Sequence, residues 1–266
     1  MHRLLNKGNN MNFNTSIGIK QVIRYEWMNY TVDLLSSGSK KEDIRKELEN
    51  YLSERKGNGK TGSRAEYTMT LAVTLLMNIW VTPKPELMSF RDKLLKMIKI
   101  KDFEPVCHWA MVSSVYPFWF NMSYIFGSLF LLQDQIKKSQ IISRTYEIFG
   151  ERNTIERCSG HVIRSFAAWG NITDKEKMGY YEKGKTIKIS DIGLASLLIE
   201  TMLNAVPEKS LSLASIINCP SFFNFELPLM NGSQVTKVNQ NLEVEQFSIN
   251  EEFVKLNNVK ISKHEY

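Results

Sequence analysis

Hydrophobic residues recur along most of this chain at the three- and four-residue spacing of helices that pack on one side. Ile19, Val22, Ile23, Trp27, Tyr30, Val32 and Leu34 predict a first helix over 19–35, closed by Ser36-Ser37-Gly38-Ser39. Ser39 is suited to cap the next helix, Lys40 to Arg55, on which Ile44, Leu48, Tyr51 and Leu52 share a face. A glycine-bearing loop over 57–63 leads to an apolar helix from Ala65 to Trp80, ended by Pro83 and Pro85. An amphipathic helix from Leu87 to Ile100 follows. Between Pro105 and Gln133 there is no Asp, Glu, Lys or Arg. A membrane span needs about 20 mainly apolar residues. Here Pro117 interrupts the stretch, and His108, Asn121 and Ser123 punctuate it. It reads as two buried helices meeting at Tyr116-Pro117-Phe118, with a membrane segment as the rival reading.

A long helix then reaches Phe149 and stops at Gly150. Thr154 can cap a helix to Trp169, with Ile155, Cys158, Val162, Phe166 and Trp169 on one face and Arg157, His161 and Arg164 on the other. Residues 172–178 read as charged turn material. Residues 179–181 and 186–189 read as paired strands around a turn at Glu182 to Lys185, with Gly184 supplying the unusual backbone angle. Two short helices, Leu194 to Ala205 and Leu211 to Ile217, come next. Alternation at Phe223, Phe225 and Leu227 ahead of Asn231-Gly232 predicts one or two β-hairpins, then a tail from about Asn257. The expected fold is mainly α: a multi-helix body (1–133), a winged-helix-like segment (134–190), and short helices with a small C-terminal β-hairpin region (191–266).

Charge sharpens this division. The chain carries a formal +6, distributed as +6 over residues 1–133, +4 over 134–190 and −4 over 191–266. A basic body suits a polyanionic partner. Candidate chemistry is sparse. Cys107, Cys158 and Cys219 form no CxxC pair, which suggests a reducing, cytoplasmic setting. The first ten residues hold no apolar run of signal-peptide length. No His or Cys pair has metal-ligand spacing, and His108 beside Trp109 reads as a core histidine. Gly59-Lys60-Thr61 has Glu54 where a phosphate-binding loop needs its first glycine. With Arg55, Lys56 and Arg64 it reads as a flexible basic loop. The expectation is therefore no catalytic residue, no metal, no cofactor and no small-molecule substrate.

The helix ending Ser-Phe-Ala-Ala-Trp-Gly-Asn-Ile, followed by a basic hairpin, resembles the winged-helix DNA-binding superfamily over residues 136–190. The resemblance implies that Arg157, His161 and Arg164 face the major groove and that Lys183, Lys185 and Lys188 form the wing, with Arg152 completing the set. One departure is the short interval from Gly150 to Thr154, where a second helix is expected. The helical body and its His108-Trp109 to Tyr116-Pro117-Phe118 segment, about a third of the chain, also resemble the BrxA-like family of BREX phage-defence systems. This chain is longer, and its wing and β-rich tail depart from that family. The resemblances together imply a non-enzymatic accessory protein of a bacterial assembly that binds duplex DNA and protein partners. The rivals are a structural adaptor that binds proteins without nucleic acid, and a membrane-associated protein using residues 105–133.

Overall fold

The uncharged stretch forms the centre of the molecule. In the computed structural model, which describes residues 12–174, 179–248 and 251–257, it folds into two helices separated by Tyr116. Pro117 opens the second of them, where a missing N–H breaks no helical bond. Trp109, Phe118, Trp119, Phe120 and Phe126 are all fully buried between these helices and their neighbours. Among the described residues no helix is long and apolar enough to cross a membrane, so the rival span at 105–133 has no helix to carry it.

The fold is mainly α. Its N-terminal part comprises α1 (Tyr25–Ser36), α2 (Lys41–Ser53), α3 (Glu66–Leu76), α4 (Met88–Met97), α5 (Glu104–Val115) and α6 (Pro117–Phe130). Next come β1 (Gln135–Lys137), α7 (Lys138–Phe149), α8 (Asn153–Ala168), β2 (Ile172–Asp174), β3 (Tyr180–Lys183) and β4 (Ile187–Lys188). The remainder is α9 (Ile192–Ala205), β5 (Ser210–Ser212), α10 (Leu213–Ile217), β6 (Phe225–Glu226), α11 (Gly232–Val238), β7 (Leu242–Ser248) and β8 (Glu251–Leu256). Among the described residues the strands make three small sheets: an antiparallel β1-β3-β2, a parallel β4-β6 pair, and an antiparallel β5-β8-β7. One continuous hydrophobic core runs from Ile19 to Val254 and joins all three.

Several elements differ from the expected ones. The first helix begins at Tyr25, because Ile23 spends its backbone on α8 instead: its N–H donates to Ser165 Oγ (2.9 Å), and its carbonyl accepts from Trp169 Nε1 (2.9 Å). Helix α2 starts from Lys40 with no side-chain cap, so Ser39 does not cap it. The hairpin forms one strand earlier than expected. Residues 172–174, expected as turn material, pair with 181–183, Ile172 standing opposite Lys183, so the expected tip residues Glu182 and Lys183 lie in a strand. Residues 175–178, which join the two strands, lie outside the described residues. Gly184 is not in a turn: its N–H donates to Asn171 O (2.9 Å), and a Cβ there would stand 1.9 Å from Gly170 O. Residues 187–188 pair in parallel with 225–226. Asn231-Gly232 makes no hairpin turn either. Asn231 Oδ1 accepts from Gln234 N, and Gln234 Oε1 accepts from Asn231 N, a reciprocal cap that starts α11. The C-terminal hairpin is β7–β8. The tail expected from Asn257 falls, beyond that residue, outside the described residues.

The C-terminal elements are tied to the body by a buried carboxylate. Glu200 on α9, 2% exposed, accepts from Lys93 Nζ (3.1 Å), Asn239 Nδ2 (2.7 Å) and Asn241 Nδ2 (2.9 Å). Such a charge is tolerated inside only when it is paired and hydrogen-bonded in this way.

Candidate nucleic-acid interface

Helix α7 ends at Gly150, whose φ of +80° lets the chain reverse. Arg152 Nη2 then donates to Phe149 O (2.8 Å), and α8 begins at Asn153. Arg152 occupies the N-cap position of α8 without a side-chain cap, and Thr154 lies inside the helix rather than capping it. The helix preceding α8 is α7 itself, so the short Gly150–Thr154 interval needs no further helix. The resulting order is β1, α7, α8, β2, β3, with β3 central in the sheet and α6 leading in.

The two faces of α8 separate as its spacing predicts. Ile155, Cys158, Val162 and Phe166 are buried. Trp169, expected on the same face, is half-buried and lines a cleft. Arg157 and Arg164 are exposed, and His161 between them is half-buried. Arg164 Nη2 lies 2.9 Å from His161 Nδ1. A guanidinium can only donate, so Nδ1 accepts and the imidazole is neutral with its proton on Nε2. Burial, Arg164 and Arg157 together push His161 down to about 4. The expected triad is therefore two cations with a neutral hydrogen-bonding ring between them.

Above the C-terminal half of α8 lies a cleft of about 450 Å³. His161, Arg164 and Ala167 line it from the helix, Arg24 and Asn58 from one side, and Asp174 and Tyr181 from the hairpin. The basic loop read in the sequence thus arrives beside α8. Gly59, at φ +82°, packs so closely on Arg24 that a Cβ would stand 2.6 Å from its Nε. Arg24 itself pairs with Glu26. Lys56 and Lys60 are exposed on this loop. Arg55 and Arg64 are packed instead, their guanidinium carbons 3.7 Å and 4.9 Å from the ring centroids of Tyr51 and Trp27.

The three lysines expected in a wing part company. Lys183 is exposed at the end of β3, at the base of the hairpin rather than its tip. Lys185 and Lys188 line a second cleft, of about 580 Å³, together with Trp109 and Trp169. Sequence reasoning missed Arg24 and Tyr181 as neighbours of α8. The helical spacing over 19–35 concealed the extended run that carries Arg24, and the shifted hairpin register misplaced Tyr181.

Two other reactive groups, His108 and Cys107, are buried in the core. His108 is fully buried, its Nε2 is 2.6 Å from Asn29 Oδ1, and burial lowers it to about 3. Cys107 is buried and pushed up to about 12, which keeps it a thiol. Among the described residues no group of three or more His, Cys, Asp or Glu is placed to hold a metal ion. Comparison with protein-family models, with curated proteins and with solved structures finds no match to this chain.

Proposed function

We propose that this chain is a non-enzymatic, cytoplasmic DNA-binding protein whose α6–β3 unit is a winged helix, with α8 as the helix presented to duplex DNA. The observation that carries this reading is that Arg157 and Arg164 are both exposed on the outer face of α8, and that the loop bearing the exposed Lys56 and Lys60 reaches the cleft beside α8 through Gly57 and Asn58. The strand order β1-β3-β2 around two successive helices supports the fold reading. Arg152 extends the basic surface at the start of α8. His161 contributes as a neutral donor. Lys185 and Lys188, which line the other cleft, are left out of the surface. Placement in a phage-defence assembly rests on the resemblance of the aromatic-proline segment to the BrxA-like family, and protein partners follow from that placement.

About five phosphates neutralised by Arg152, Arg157, Arg164, Lys56 and Lys60 give a slope of roughly −4 to −5 for log K against log salt. Anisotropy with a labelled duplex measures it. Arg157→Glu with Arg164→Glu abolishes binding with an unchanged melting temperature. Lys40→Glu with Lys41→Glu, an equal charge change at two exposed residues, does much less. Equal losses in the two pairs, or no binding at low salt, would sink the proposal. The adaptor reading would then lead, favoured by the 75%-exposed Phe247 on β7, an edge strand of its sheet.

A further inference from the structure

The 580 Å³ cleft lies between α5, the C-terminal end of α8 and the β4–β6 pair, and three features of it point to one class of ligand. Its walls include Tyr25 and Trp169, whose rings meet edge to face at 5.6 Å, a rigid aromatic surface for a flat ring. Asn224 also lines it and is only 4% exposed. The Asn224 Nδ2 group donates to Asn171 O (2.9 Å) and Lys185 O (3.5 Å), which fixes the amide's orientation and leaves Oδ1 buried with no partner among the described residues. A buried acceptor without a donor calls for one. Asp102, a second acceptor in the lining, holds φ at +70°, a conformation that side chains other than glycine seldom adopt. Lys185 and Lys188 line the same cleft and are exposed to solvent.

We propose that this cleft binds a nucleoside phosphate. The base lies against Tyr25 and Trp169, its N–H groups donate to Asn224 Oδ1 and Asp102, and its phosphate pairs with Lys185 and Lys188. This goes beyond DNA binding through α8 and revises the expectation of no small-molecule ligand. The nucleotide comes either free or as an unpaired base of a strand, and both sources present the same chemistry.

The test titrates the full chain with guanosine monophosphate, following intrinsic tryptophan fluorescence, to which Trp109 and Trp169 contribute from within the cleft, with ribose phosphate and inorganic phosphate as controls. Saturable quenching is expected with the nucleotide and not with the controls. Lys185→Ser with Lys188→Ser weakens it by about tenfold or more, the scale of one charge-assisted hydrogen bond. Asp102→Gly weakens it similarly while holding or raising the melting temperature, because glycine accepts the positive φ. That second variant separates loss of a ligand contact from loss of the fold. Arg157→Glu with Arg164→Glu leaves nucleotide binding intact, so failure of the DNA reading and failure of this one are distinguishable. In that background, a single-stranded oligonucleotide that binds where the mononucleotide does not identifies the strand as the source; the converse identifies the free nucleotide. No saturable quenching by either at millimolar concentration, or quenching unchanged in both cleft variants, overturns the proposal.

Discussion

His161 shows how two neighbours decide the role of a side chain. An isolated histidine gains its charge near pH 6.5, and on a DNA-facing helix it would then tighten binding as the pH falls. Here Arg164 donates to its Nδ1, and Arg157 lies close enough to oppose a further positive charge. The ring stays neutral down to about 4. On the proposed reading of α8, DNA affinity measured at constant ionic strength should therefore be flat between about pH 8 and about 5.5, and His161→Ala should leave that profile unchanged. Affinity that climbs through pH 6.5 in the parent and not in the variant would show a protonated His161 and contradict the assigned tautomer.

At the scale of elements, close approach explains what propensity does not. Gly127 on α6 faces the turn at Pro220, where a Cβ would stand 1.9 Å from a carbonyl oxygen. Gly160 on α8 has as its nearest neighbour Arg164 Nη1, at 3.6 Å. Gly127→Ala should destabilise the protein by about 1–3 kcal/mol, since backbone must shift to make room. Gly160→Ala should stabilise it by about 0.5–1 kcal/mol through helix propensity. Urea denaturation of the two variants checks both, and equal effects would contradict the packing described. The same contrast governs how legible the chain was. Helices α5 and α6 were readable because an uncharged stretch broken by one proline has few other solutions. The outward Arg157 and Arg164 were readable from helical spacing alone. The hairpin register was not, because Gly184 serves contact with Gly170 and Asn171 rather than a turn, a requirement set by residues distant from it in sequence. Asn231 was ambiguous for a local reason. Asn-Gly suits a tight turn and a helix cap alike, and only Gln234 three positions on, the partner in the reciprocal cap, decides between them. The basic loop was visible, but its place beside α8 depends on tertiary packing that no local pattern encodes.

For the whole molecule, the buried and partly buried histidines set an acid limit. His108 is held at about 3 and His161 at about 4, against an ordinary value of 6.5. Between these values the unfolded chain binds more protons than the native one. The stability these two groups contribute is therefore present above about pH 6.5 and is lost as the pH falls toward 4 and then 3. Unfolding free energies measured at pH 7.5, 6 and 5 should fall in that order, apart from other titrating groups, and His161→Gln should reduce the fall. A free energy rising through this window in the parent, or an undiminished fall in the variant, would contradict the assignment.

The bonds from Ile23 to Ser165 and Trp169 also bear on how the chain is made. They join residues 142 and 146 positions apart. At roughly 5–20 residues per second of synthesis, Ile23 emerges roughly 7–30 s before Trp169 does. Until then the extended run through Arg24 has no helix to rest on, and the apolar faces that it later helps to cover stand open to chaperones and proteases. Nascent chains arrested before residue 165 should accordingly be cut by protease near residues 19–24, and chains arrested well beyond 169 should resist. A ribosome-bound digestion series reads this directly, and protection that sets in before Ser165 has left the exit tunnel would show that the N-terminal segment finds its place without α8.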